Sequence, residues 1–164
     1  MKFRSIAAGL SVALLGAAAL GAAGTAAAAP AKTVPSPGAS ADAIARSVIS
    51  AGAIVSPGST IFFVSGIPGA ATAGNTEAQT MDSLTKLKAV LEANGFTMGD
   101  VANAKVYLVA DPATGNMDFA GMNKAFSTFF GTSANPVKPS RVTVQIAGLA
   151  GAGSLVEIEL TAVK

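Results

Sequence analysis

Apolar residues along this chain recur at two periods. In "TEAQTMDSLTKLKAVLEANG", Met81, Leu84, Leu87, Val90 and Leu91 follow a 3.6-residue repeat, which predicts a helix. Thr76 is placed to cap its start, and Gly95 stands where a C′ glycine ends a helix. Glu77 and Asp82 lie toward its start and Lys86 and Lys88 further along, the distribution the helix dipole favours. A second helical face, Phe119, Met122, Phe126, Phe129 and Phe130, is closed by Gly131. That aromatic stripe reads as core, with Phe119, at the helix start, the one member placed to turn toward a pocket. Period-two alternation predicts strands: a weak one from Ser47 to Val55, a stronger one from Thr60 to Ser65, and a third over "VANAKVYLVA". The Pro57-Gly58 turn between the first two predicts a hairpin.

The stretch "PSRVTVQIAGLAGAGSLVEIEL" predicts two more strands around a glycine-rich turn. Val142, Val144 and Ile146 face one way and Arg141, Thr143 and Gln145 the other. Val156, Ile158 and Leu160 repeat the apolar set, leaving Glu157, Glu159 and Thr161 polar. Paired as a hairpin, the strands place Arg141 with Glu157 and Glu159 on one surface. The element order is β-β-α-β-α-β-β, an α+β two-layer sandwich with two helices on one sheet face. The other face is too mixed for plain solvent surface and too poor in charge to repel, so a subunit interface is expected there.

Residues 1–28 predict an export signal and stand outside the fold. Lys2 and Arg4 form a positive start, Ile6 to Leu20 an apolar stretch, and Ala26-Ala27-Ala28 a small-residue cleavage pattern. A periplasmic or secreted protein follows, beginning at Ala29 and without membrane association once cleaved. Residues 29–41, rich in proline and small polar residues, predict a disordered linker, and 42–164 the folded domain. Of 11 basic residues in the full chain of 164, the signal holds Lys2 and Arg4, which leaves nine against nine acidic residues. A neutral domain without a basic run lacks what tracks nucleic-acid phosphates, so no nucleic-acid partner is expected. There is no histidine or cysteine, which removes Ser-His-Asp and Cys-His nucleophiles, histidine-ligated metals and disulfides. The chemistry left to the chain uses carboxylates, arginine, hydroxyls, lysine, backbone groups and water, with no metal.

Two readings of Arg141 follow from the residues alone. One is a cross-strand ion pair with the glutamates. The other is a guanidinium fork that clamps a substrate carboxylate while Glu157 orients or deprotonates a water. The glycines of "GIPGAATAGNT" and "GLAGAG" lack both the lysine of a phosphate loop and the strand-to-helix setting of a dinucleotide fold, so turn chemistry accounts for them.

Taken together, "FFVSG", "TEAQTMDSLTKLKAVLEANGFTMGDVANAKVYLV", "DFAGMNKAFSTFF" and "PSRVTVQIAGLAGAGSLVEIELTAV" resemble the RidA family, the reactive-intermediate enamine/imine deaminases also called YjgF-like. The resemblance covers roughly Ser47 to Val163. It implies a chorismate-mutase-like fold, a homotrimer with clefts between subunits, and cofactor-independent hydrolysis of 2-imino acids or 2-aminoacrylate-type tautomers to 2-keto acids and ammonia. By the same resemblance Arg141 is the substrate-carboxylate arginine and Glu157 the glutamate that positions water. Ser65, Phe119, Asn123 and Thr143 are matched to substrate-binding positions. The family tyrosine of the first hairpin is replaced here by "ISAGAIV", and the chain's one tyrosine is Tyr107. A trimer that binds small carboxylates without turning them over is the alternative, and a ribonuclease or translation inhibitor a more distant one.

Overall fold

The computed structural model describes residues 31–164; the predicted export signal, 1–28, lies outside them. The elements run β1 (Lys32–Val34), α1 (Ala41–Arg46), β2 (Gly52–Ile54), β3 (Ile61–Pro68), α2 (Thr76–Ala93), β4 (Val101–Val109), α3 (Phe119–Phe126), β5 (Ser140–Ile146) and β6 (Val156–Val163), with short 3-10 turns before α2 and before β4. Helix α2 ends as its glycine predicts. Gly95, at φ 77°, donates to Glu92 at 3.1 Å while Phe96 donates back to Leu91 at 2.9 Å, the paired bonds of a Schellman cap. Its start differs from expectation: Asn75, not Thr76, caps the helix by accepting from the Ala78 amide at 3.0 Å.

The buried side of α2 is Leu84, Leu87 and Leu91, joined by Gln79, Thr80 and Ser83, while Met81 turns outward. Gln79 is tolerated there because its amide is satisfied on both sides. It donates to Gly74 O at 2.9 Å and Gly153 O at 3.1 Å and accepts from the Leu155 amide at 2.7 Å. Helix α3 is capped by Asp118, which accepts from Gly121 at 2.8 Å, and buries Met122 and Phe126; Phe130 follows in the next turn, fully enclosed.

The main sheet has the order β3-β6-β4-β5, with β4 and β5 parallel and the other neighbours antiparallel. Both α2 (from β3 to β4) and α3 (from β4 to β5) therefore connect parallel strands, stepping the same way across the sheet. Crossovers of one handedness that step in one direction put both helices on the same face, which gives the expected α+β two-layer sandwich. Val156, Ile158, Leu160 and Ala162 of β6 line the core beneath α2.

Three expectations are corrected. Residues Gly52–Ile54 do not pair with β3; they pair antiparallel with β1, from Lys32 opposite Ile54 to Val34 opposite Gly52, so part of the expected linker is a strand. The partner of β3 is β6 instead. Second, β5 and β6 are not a hairpin. The nine residues 147–155 carry the chain past β4, so that β6, apolar at every second position and wanted in the middle, inserts between β3 and β4. Third, the alternation on β5 is inverted: Val142 and Val144 are 47% and 39% exposed on the open sheet face, and Arg141, Thr143 and Gln145 face the helices.

Candidate functional site

Register places each candidate on a face. Arg141 is opposite Ala104, which is itself opposite Leu160, and both are enclosed under the helices. Arg141 accordingly lies against α3. Its Nη2 donates to Asn123 Oδ1 at 3.0 Å, and its guanidinium carbon stands 4.5 Å from the Phe126 ring centroid and 5.6 Å from that of Phe119. These are cation–π distances, with Phe126 buried and Phe119 44% exposed. The spacing 119, 123, 126 puts all three on one side of α3.

Among the described residues no carboxylate reaches this guanidinium. Nη1 of Arg141 and the Thr143 hydroxyl are both enclosed without a hydrogen-bond partner. Burial without a counter-ion pulls the Arg141 pKa down to about 10. The group is thus an electron-poor fork with one arm on Asn123 and the other unsatisfied, beside a hydroxyl that is also free. An anion of carboxylate shape would complete it.

Glu157 is elsewhere. It is opposite Tyr107, and Tyr107 is opposite Val144, on the sheet face turned away from α2 and α3. Here β3 bulges. Val64 pairs with Leu160 and Ile67 with Ile158, so Ser65 and Gly66 together face the single residue Glu159. The Glu157 carboxylate lies over Gly66 so closely that a Cβ at 66 would run into its Oε1. Glycine here serves close approach, since its φ is not in the left-handed region. Beside Glu157, Glu159 Oε2 is held by Lys105 Nζ at 3.0 Å and by the Tyr107 hydroxyl at 3.2 Å.

The predicted residues therefore form two groups. Arg141, Phe119, Asn123 and Thr143 come together under the helices at one edge; Glu157 and Ser65 come together on the open face nearer the other. The cross-strand ion pair of Arg141 with the glutamates is absent. Phe126, Gly66, Lys105 and Tyr107 belong to these groups too; the sequence reading put Phe126 in the core and gave the other three no place in the site. The helical spacing of Phe126 from Asn123 and the Ser65-Gly66 pair were the available signals. Two cavities, of about 470 Å³ beside Ser47, Ser50 and Lys138 and about 430 Å³ beside Met98, Phe129 and Asn135, touch neither group.

A family model described as endoribonuclease L-PSP matches residues 44–164. A RutC family protein of Pyrococcus horikoshii is 35% identical over 115 residues, covering 67% of this chain and 83% of its own. The 2-iminobutanoate/2-iminopropanoate deaminase of Salmonella typhimurium is 36% identical over 94 residues, covering 57% of this chain and 68% of the enzyme. Among solved structures, a Rid-family protein of Yersinia pestis superposes with a TM-score of 0.63 over 82% of this chain and 98% of that one, at 20% identity, a likeness of fold.

Proposed function

The chain belongs to the endoribonuclease L-PSP family, the RidA/YjgF group, and from that premise we propose that it is a cofactor-independent imine deaminase. Its substrates are 2-imino acids and their 2-aminoacrylate-type tautomers. Arg141 takes the substrate carboxylate, with Phe119, Asn123 and Thr143 around it. Glu157, seated on Gly66 beside Ser65, draws a proton from water as the oxygen attacks the imine carbon. Glu157 passes that proton to the nitrogen, the hydroxyl of the tetrahedral carbon gives up its own as the C=O bond forms, and the C–N bond breaks to release ammonia, one water being consumed for each keto acid formed.

One observation carries the reading: a partly buried arginine on an aromatic platform whose second arm and neighbouring hydroxyl have no partner. A carboxylate supplies what both lack, and the guanidinium's burial makes the pair strong. Arg141 and Glu157 lie on opposite faces of one sheet, so a shared substrate sits between the Arg141 edge of one copy and the Glu157 face of another. The exposed Phe63, Val142 and Val144 on that face favour such an assembly, a homotrimer with clefts between subunits. The match to the Salmonella deaminase supports the chemistry. Against RNA cleavage stand the neutral charge beyond residue 28 and the lack of histidine. Residues 1–28 direct export in this reading, and sequencing of the exported protein is expected to begin at Ala29.

The test generates imines in situ with an amino-acid oxidase and follows their capture by semicarbazide. Wild type is expected to suppress capture and Arg141→Ala to leave it untouched while keeping its oligomeric state. Equal suppression by both proteins would overturn the assignment of Arg141. Keto-acid binding without suppression by wild type would instead make the protein a carboxylate binder.

A further inference from the structure

The open sheet face carries two carboxylates two positions apart on β6, and the fold treats them differently. Lys105 is opposite Glu159 and Tyr107 opposite Glu157. Yet Lys105 and Tyr107 both turn to one oxygen of Glu159, at 3.0 and 3.2 Å. The hydrogen bond and the charge of Glu159 raise the Lys105 pKa, so this ammonium is engaged. Glu157, among the described residues, receives no side-chain hydrogen bond or ion pair. Its neighbours are Gly66 and Pro68 on β3, Tyr107 opposite it on β4, and Glu159, with Lys105 opposite that, two positions along its own strand. Lys105 is the one cation among the strand residues of this face, and it is spent on the other carboxylate.

Side chains two apart on a strand stand roughly 7 Å from one another, within reach of each other's charge. Two free carboxylates at that separation repel, and each then holds its proton more tightly. We infer that Lys105 and Tyr107 are positioning residues for Glu157: by compensating Glu159 they leave Glu157 the single unpaired base of this face. What that base does rests on the deaminase reading above. The phenol adds what the lysine cannot, a neutral donor and a ring standing cross-strand from Glu157. No other residue of the chain offers one, since Tyr107 is its only tyrosine.

Glu77, Glu92, Glu157 and Glu159 are the only glutamates, so the protein labelled with carboxyl-¹³C glutamate gives four signals to follow against pH. Full-length mature protein is compared as wild type, Lys105→Met, Tyr107→Phe and Glu159→Gln. Relative to wild type, the Glu157 signal is expected to titrate at higher pH in Lys105→Met, higher by less in Tyr107→Phe, and lower in Glu159→Gln. The acid limb of the kcat/KM profile moves in the same order. At a pH on that limb Lys105→Met loses about threefold to tenfold, with the plateau within about twofold of wild type. A structural role alone would lower activity or melting temperature without this alternation of sign. A Glu157 signal that titrates alike in wild type and Lys105→Met overturns the inference. If the signals shift in order but wild type does not deaminate imines, the compensation stands and the deaminase reading falls; if wild type deaminates and nothing shifts, the reverse holds.

Discussion

Mixing two inactive variants is expected to restore activity. On the proposed reading Arg141→Ala lacks the carboxylate fork and Glu157→Gln lacks the base. Within one chain the two residues are on opposite faces of the sheet. Arg141 is on β5 and Glu157 on β6, with β4 between, and their register positions on β4, Ala104 and Tyr107, are three residues apart. Two strand spacings across and three residues along separate their α-carbons by roughly 14 Å, with side chains pointing away from each other. No small imino acid spans that through the sheet, so on the proposed reading a working site takes its arginine from one copy and its glutamate from another. Each variant alone has no complete site. In a trimer assembled at random from equal amounts, a site is complete when the arginine donor is Glu157→Gln and the glutamate donor Arg141→Ala, about a quarter of all sites. The variants are unfolded together, refolded and assayed by imine capture, with a distinct tag on each to show that mixed assemblies form. Recovery near a quarter of wild-type activity is expected. Mixed assemblies that remain as inactive as either parent would refute the two-copy site.

Arg141→Met is expected to abolish keto-acid binding while unfolding at equal or higher denaturant, by about 1–2 kcal/mol after discounting for the exposed part of the side chain. The sign follows from a folded pKa of about 10, lowered from the unfolded value: below 10 both states carry the charge and the folded one bears its desolvation, and as pH rises above 10 wild-type stability rises because the folded state loses the proton first. A clear drop in stability of Arg141→Met at neutral pH would show that stacking on Phe126 outweighs burial. Gly66→Ala puts a methyl where the Glu157 carboxylate rests, so kcat should fall about tenfold to a hundredfold with the melting temperature little changed; wild-type kcat would separate Glu157 from this seat. Gln79→Leu strands the Leu155 amide and the Gly74 and Gly153 carbonyls, and urea unfolding should show a loss of about 2–4 kcal/mol. An unchanged midpoint would mean that water replaces all three bonds.

Helices α2 and α3 were legible because apolar residues three and four apart are a local signal; Gly95 marks the end of α2 one residue past its cap, whereas α3 stops at Phe126, short of the expected Gly131, and the short α1 falls where a linker was expected. Strand partners were not, since pairing is decided by residues far along the chain. Alternation on β5 says that Arg141, Thr143 and Gln145 share a face, yet it cannot say which face the helices will cover. The valines suggested the wrong answer. On β6 the same rule succeeded, because Val156, Ile158, Leu160 and Ala162 extend the apolar set far enough to demand the core. An edge strand can invert, as its inward positions reach only the rim of the helix layer. There the aliphatic stem of an arginine packs well, and Phe126 and Asn123 take its head. The inversion carries its own consequence. It leaves Val142 and Val144 in water at one edge of the open face, as Ile61 and Phe63 are at the other, with the polar residues of β4 and β6 between them. On the proposed reading that surface is covered by a neighbouring copy, and the residue pattern that misled the assignment of faces is the one that brings Arg141 of one subunit to Glu157 of the next.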